Sequence, residues 1–382
     1  MMTPTPFQRI RIRILILINV RWWNATAFYA VNIARLLNQN GHRVWVGCDP
    51  AYPAYRVAQA YGLPVAPLAF YGGNPLKLVR SFRALVQLIR AEGIEIINSH
   101  RSEDHSFALL AKLLCGTRLV VTRGDQRRVQ NHLLSRLRYQ LADAVILTCR
   151  QLYTDNEAVF HRMRRRVRII HGSVDEDHFR PQAAAKQTRA KYGLPEDKLI
   201  VAMIGRLSRV KDQSRFVQAA IALAQARDDL HFLVAGKEVD LSQADLRRRV
   251  AAGGVSSRFT FLSTVDDIAD LMNLVDVGVI LSVASETISR VLLEFMYLGK
   301  AVVATDVNAI GEIVVPGLTG ERIPAGDSRA LVCALLKLAA HPRLRETYAR
   351  NAARVYADTY SQGAFYRRYA EVLTPLDRGG PP

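Results

Sequence analysis

Ser285-Glu286-Thr287-Ile288-Ser289-Arg290-Val291-Leu292-Leu293-Glu294 sets two carboxylates eight positions apart where a strand-like run gives way to a helical one. Upstream, Val277-Gly278-Val279-Ile280-Leu281-Ser282 is short, apolar and β-branched, the pattern of a strand buried on both faces of a parallel sheet. Downstream, Phe295-Met296-Tyr297-Leu298-Gly299-Lys300 leads into a second strand pattern, Ala301-Val302-Val303-Ala304. Glu294 is thus the only charge between Val291 and Leu298. Burying a carboxylate there is costly unless hydrogen-bond donors satisfy it. The protein can supply them, or a hydroxyl-rich ligand such as a ribose can.

The alternation around this stretch fills the chain. In the first half, strands are expected over 11–20, 43–48, 94–98, 119–122 and 144–148, with helices over 27–40, 74–92 and 106–114. In the second half, strands are expected over 199–204, 231–235, 277–281 and 301–304, with helices over 213–227, 267–275 and 292–298. Strand and helix in this rhythm predict an α/β fold of two Rossmann-like, doubly wound parallel sheets. Such sheets bind ligands outside the carboxyl ends of their strands. Two of them facing across a cleft suit a reaction between two substrates. The boundaries expected are 1–172, 173–358 and a terminal segment 359–382, which ends in a frayed Gly379-Gly380-Pro381-Pro382 tail.

A chain of 382 residues suggests two domains. Its net charge of +18 is unevenly placed. Residues 1–170 carry 25 Lys and Arg against 9 Asp and Glu, whereas the remaining 27 and 25 nearly cancel. A basic half implies an anionic partner. Cys48, Cys115, Cys149 and Cys333 have neither zinc nor redox spacing, so a reducing cytoplasm is expected. No secretory signal is recognised, and no run nears the roughly 18 apolar residues of a spanning helix.

Gly205-Arg206-Leu207-Ser208-Arg209-Val210-Lys211-Asp212 follows one strand tip directly and precedes a helix. Gly205 lets the backbone turn off the strand. Arg206 offers a planar fork to phosphate oxygens and Lys211 a point charge. Ser289, Arg290 and Val291 fall at a helix start, where backbone N–H groups and the dipole favour an anion. Neither a G-x-x-x-x-G-K-[ST] loop nor a G-x-G-x-x-G after the first strand occurs, which argues against triphosphate and dinucleotide sites.

Together these segments resemble the family 4 retaining glycosyltransferases, whose two Rossmann-like domains form the GT-B fold. Gly205-Arg206-Leu207 with Lys211 resembles the family's diphosphate motif, and Glu286 to Glu294 its E-x7-E motif. His171-Gly172-Ser173-Val174-Asp175 with Phe179 and Pro181 is similar to its interdomain segment. Gly41-His42-Arg43-Val44 and His100 resemble first-domain features. The sequence departs from the family at Thr287-Ile288-Ser289, where a Gly-Phe-Gly-like run is usual, and at Arg21 to Thr26, where Gly-Gly is usual. The resemblance implies a donor-binding second domain. There Gly205, Ser289, Arg290, Val291 and Glu294 would hold a nucleotide-diphosphate-sugar, with Glu294 on the ribose. It makes Arg206, Lys211, Glu286 and His100 the catalytic set. Arg206 and Lys211 would neutralise the leaving group with neither metal nor cofactor, and Glu286 would hold the donor sugar. The helix over 363–372 would cross back to the first domain.

The first domain is then the acceptor side. Candidate contacts are Arg123, Asp125 and Arg127, on a strand tip suited to a phosphorylated group, together with Trp22 and Asn24. The expected partners are a nucleotide-sugar and a glycan or glycolipid acceptor of the lipopolysaccharide or surface-polysaccharide kind. The basic half, densest at Arg162, Arg164, Arg165, Arg166 and Arg168, would rest on an anionic membrane surface. Nucleic acid is not expected, because no RRM, KH or zinc-knuckle signature accompanies the charge. The location implied is cytoplasmic, peripheral on the inner face of the plasma membrane. The rival readings are a GT-B sugar-nucleotide epimerase or hydrolase, and a non-catalytic basic binding protein.

Overall fold

The computed structural model describes residues 11–374, apart from 73, 131–132 and 182–185. The chain forms two compact units: the first runs to Gly172 and resumes at Gln362, and the second spans Ser173–Ser361. The expected tail at 379–382 lies outside the described residues.

The first unit alternates β1 (Arg13–Leu17), α1 (Ala25–Gln39), β2 (Arg43–Cys48), α2 (Pro53–Ala60), β3 (Val65–Pro67) and α3 (Pro75–Glu92). It continues with β4 (Ile96–Ser99), α4 (Ser102–Cys115), β5 (Arg118–Arg123), α5 (Leu133–Gln140) and β6 (Ala144–Leu147). Short helices α6 (Arg150–Thr154) and α7 (Glu157–Phe160) then lead to β7 (Val167–Ile169). The second unit holds α8 (Lys186–Lys191), β8 (Leu199–Ile204), α9 (Gln213–Ala226), β9 (Leu230–Ala235), α10 (Gln243–Ala252) and β10 (Phe259–Leu262). After these come α11 (Ile268–Asn273), β11 (Val277–Ile280), α12 (Arg290–Tyr297), β12 (Ala301–Thr305), α13 (Asn308–Ile313) and β13 (Gly320–Ile323). Helices α14 (Ser328–Ala340) and α15 (Pro342–Val355) close this unit, and α16 (Gln362–Leu373) returns to the first.

Both sheets are parallel throughout, ordered β3-β2-β1-β4-β5-β6-β7 and β10-β9-β8-β11-β12-β13. Helices cover both faces, so the central strands are apolar on both: β1 exposes only Arg13, and β9 nothing. Each order reverses once, between β1 and β4 and between β8 and β11, and these reversals are where doubly wound sheets take ligands. The nine interior strands fall where the sequence places strands, whereas the edge strands β3, β7, β10 and β13 emerge only in the structure. Helix α4 starts at Ser102, a full turn before the expected 106.

In the second unit, Phe216 meets Phe232 edge-on and Phe232 stacks on Phe259 in the core, with ring centroids 6.1 and 5.2 Å apart. A Cβ on Gly278 would lie 2.5 Å from the Phe295 ring, so this glycine lets α12 press against β11. A Cβ on Gly236 would come within 1.9 Å of the Gly205 carbonyl oxygen, and Gly236 has φ of 152°. The loops leaving β8 and β9 therefore touch backbone to backbone. Helix α16 docks on the first unit through Phe365 against Tyr29, centroids 4.9 Å apart, and through Tyr366 hydroxyl 3.0 Å from His42 Nε2.

Candidate active site

The second unit's reversal point is built by two loops. The first leaves β8 at Gly205, whose φ of 144° turns the chain off the sheet. Buried Gln213, the first residue of α9, fixes it from below: its Oε1 accepts from Ser208 N at 3.1 Å and its Nε2 donates to Arg206 O at 2.8 Å. Lys211 N donates to Ser208 O at 2.9 Å, closing the turn that presents the lysine. Arg206 stays exposed.

The second loop follows β11 and is tied to the first by Val283 N donating to Val210 O at 2.9 Å. Ser285 and Ser289 take left-handed backbone conformations, φ 59° and 42°, and Glu286 lies between them. The Glu286 backbone is held at both ends by the start of α13. Its N–H donates to Asn308 Oδ1 at 3.3 Å, and its carbonyl accepts from Ala309 N at 3.1 Å. Its side chain accepts from Ser282 Oγ at 3.0 Å and forms an ion pair with Lys211 Nζ. Burial, and then the Arg206 guanidinium, pull the Lys211 ammonium down to about 8, while its contact with Glu286 favours the charged form.

Glu294 lies one turn into α12, 2% exposed, with Arg290 Nε 2.8 Å from its Oε1. Burial raises this carboxyl above its usual range, and Arg290 opposes that rise, as does His178. The donor that a buried carboxylate demands is therefore supplied by the residue one turn before it. Helix α12 begins its ladder with Leu293 N to Ser289 O, so the N–H groups of its first turn, including Val291, stand at the reversal point. The Ser289 hydroxyl there is buried and has no partner among the described residues.

The structure thus brings together Gly205, Arg206, Lys211, Glu286, Ser289, Arg290, Val291 and Glu294. Two cations and a helix N-terminus suit a diphosphate. Two carboxylates suit the hydroxyls of a sugar and a ribose. Among the described residues no three His, Cys, Asp or Glu side chains stand together as a metal site would require. Sequence reasoning missed Ser282, Gln213, Asn308 and His178. Asn308 takes a left-handed backbone conformation, φ 45°, which asparagine tolerates better than most residues.

In the first unit His100 follows β4 at the β1–β4 reversal, its N–H donating to Leu17 O at 3.0 Å. It is 2% exposed, neither ring nitrogen has a partner among the described residues, and burial pulls the imidazole down to about 3. His100 is thus a buried neutral imidazole. Arg123 is also buried, with Nη1 donating to Tyr139 hydroxyl at 2.9 Å and Nη2 3.0 Å from Asp125. Arg127 is exposed, and Trp22 is 61% exposed. Asn24, expected to contact an acceptor, is half-buried and caps α1: its Oδ1 accepts from Ala27 N at 2.9 Å.

Comparison with known proteins gives three kinds of match. The family model of glycosyl transferases group 1 matches residues 198–341, and that of glycosyltransferase family 4 matches residues 26–178. An α-D-kanosaminyltransferase of Streptomyces kanamyceticus is 30% identical over 48% of this chain, and the match spans about half (47%) of that protein's own length. The lipopolysaccharide core biosynthesis mannosyltransferase LpsB of Rhizobium meliloti is 31% identical over 78% of this chain and 85% of its own. Among solved structures, Anabaena HepE in complex with UDP superposes with a TM-score of 0.82 at 21% identity, covering 96% of this chain and all of that one.

Proposed function

The chain belongs to the family 4 glycosyltransferases and has their two-sheet fold, and from that premise we propose which chemistry its loops perform. The enzyme moves a sugar from a nucleotide-diphosphate-sugar to a glycan or lipid-linked acceptor, with retention of anomeric configuration and without a metal or resident cofactor. The observation that carries this reading is the double pairing at the β8–β11 reversal, Lys211 with Glu286 and Arg290 with Glu294.

The diphosphate would sit against Arg206, Lys211 and the first turn of α12. Its oxygens replace the Glu286 carboxylate as the partner of Lys211, so the ammonium exchanges one anion for another. Glu286, held by Asn308 and Ala309, is then available to the donor sugar and to positive character at its anomeric carbon. The bond from that carbon to the β-phosphate oxygen breaks, and a bond to the acceptor oxygen forms. The acceptor's proton passes to the departing phosphate. Charge-stabilising donors of this kind are worth roughly 3–4 kcal/mol each. Glu294 would accept from the ribose hydroxyls.

The similarity to LpsB supports surface-glycan synthesis as the setting, with an acceptor built on lipid. The excess of positive charge in the first 170 residues then serves to hold the protein on the anionic inner leaflet. No described helix is long and apolar enough to cross a membrane, so attachment would be peripheral. Incubating a panel of nucleotide-sugars with acceptor extract and resolving products by mass tests the reading. A sugar-extended acceptor supports it. Conversion of donor to free or epimerised sugar without an acceptor product would contradict it.

A further inference from the structure

Helices α3, α4 and α5 lie on one face of the first sheet. The steps β3 to β4, β4 to β5 and β5 to β6 all run the same way across it, and right-handed crossovers place such helices on one side. Phe82 of α3 meets Phe107 of α4 with ring centroids 6.1 Å apart, so these two helices pack side by side. An outward helix surface is ordinarily polar. That of α4 is not: Leu110, Leu113 and Leu114 are 49, 63 and 60% exposed. Their i, i+3, i+4 spacing makes them one patch. On α3, Leu76 is 76% exposed, and the same outward side carries Arg80, Arg83 and Arg90. None of these three arginines has an acidic partner among the described residues.

We propose that the α3–α4 face of the first unit docks on a bilayer containing anionic phospholipid. Leu110, Leu113 and Leu114 enter the interface, and Arg80, Arg83 and Arg90 lie against the headgroup phosphates. The proposal rests on the reading above that the acceptor is lipid-linked, and it assigns the face that reading leaves open. Apolar side chains flanked by arginines are the composition of an interfacial helix surface. A nucleic acid would match the arginines but leave the leucines in water. A second copy related by a two-fold axis would set this arginine row close to its own image, against like charge.

Flotation with phosphatidylcholine vesicles, with and without phosphatidylglycerol, at low and high salt tests the assignment. The unaltered protein should float with the anionic vesicles and not the neutral ones. Arg80→Ser, Arg83→Ser and Arg90→Ser together should weaken that binding by roughly 100-fold, at about fivefold per arginine. Leu110→Ser, Leu113→Ser and Leu114→Ser together should remove the part that survives high salt. Both triple variants change exposed positions only, so nucleoside-diphosphate binding and melting temperature should be retained. If the unaltered protein ignores anionic vesicles, the membrane reading falls, whatever the transfer assay says. If it binds but neither variant weakens it, the α3–α4 face is overturned alone. A dimer in solution that the leucine variant disperses would also overturn it, by showing that a second copy covers the patch.

Discussion

Where β8 and β11 end, the second unit sets Lys211 against Glu286 and Arg290 against Glu294. Where β1 and β4 end, the first unit sets Asn19 and a neutral His100, both buried. The topology is the same in both and the dressing is opposite. Paired charges suit a ligand that brings its own charge, because a phosphate can replace a carboxylate beside a lysine without stranding either. Buried neutral groups suit hydroxyls, which donate and accept together. His100 Nδ1 and Nε2, Ser99 Oγ and Asn98 Nδ2 all lack partners among the described residues. On the proposed function, the second unit would take the charged donor and the first a neutral, hydroxyl-bearing acceptor.

The contrast breaks most visibly at Lys211. Lys211→Ala should lower kcat on the order of 100- to 1,000-fold in protein that still folds, since on the proposed role it removes a cation set against the leaving group. Activity within a few-fold of the unaltered enzyme would dismiss the role. Glu294→Gln should act on donor KM more than on kcat, by roughly 10- to 100-fold, the worth of charge-assisted hydrogen bonds.

Arg290→Leu sharpens the point further. It leaves Glu294 buried without its cation, so the carboxyl protonates more readily and donor affinity drops. That loss should lessen as pH rises and Glu294 ionises again, and Arg290→Lys should restore part of it. A pH-independent defect would show that Arg290 acts by another route. In the unaltered enzyme, kcat/KM should fall as pH rises through about 8, where the free enzyme's Lys211 loses its proton. His100 and His105, both held near 3, should give no limb between pH 5 and 8.

In the first unit the expected effect is on stability and leaves catalysis untouched. Asp104 is fully buried, and burial raises it to about 7 against hydrogen bonds from Asn19 N at 3.1 Å and Nδ2 at 2.7 Å. In the unfolded chain it ionises near 4, so the folded state holds the extra proton between the two values. Stability should therefore decline as pH rises from about 4 to about 7 and level off beyond, by up to a few kcal/mol. Asp104→Asn should flatten that slope in thermal melts, and an unchanged slope would place the titration elsewhere.

Legibility followed the same physics. Interior strands are buried on both faces and show as unbroken apolar runs such as Leu199–Ile204. Val65–Pro67 and Val167–Ile169 are three residues long and partly exposed, so edge strands carry no such run. The start of α4 was hidden because Ser102, Glu103, Asp104 and His105 look like a loop, although Asp104 and His105 are buried. In the candidate site, spacing from strand tips singled out Arg206, Lys211, Glu286 and Glu294 as candidates. Ser282 and Asn308 reach Glu286 through folding alone, Asn308 from 22 residues away, and local sequence carries no trace of that.

Calorimetric titration of UDP, GDP and ADP into the intact protein and into Lys211→Ala decides whether the β8–β11 reversal is a diphosphate site. One diphosphate should bind the unaltered protein and should bind Lys211→Ala at least about 10-fold more weakly, as loss of a charge-assisted contact requires. Equal affinity in both, or no diphosphate binding to a folded protein, would contradict it.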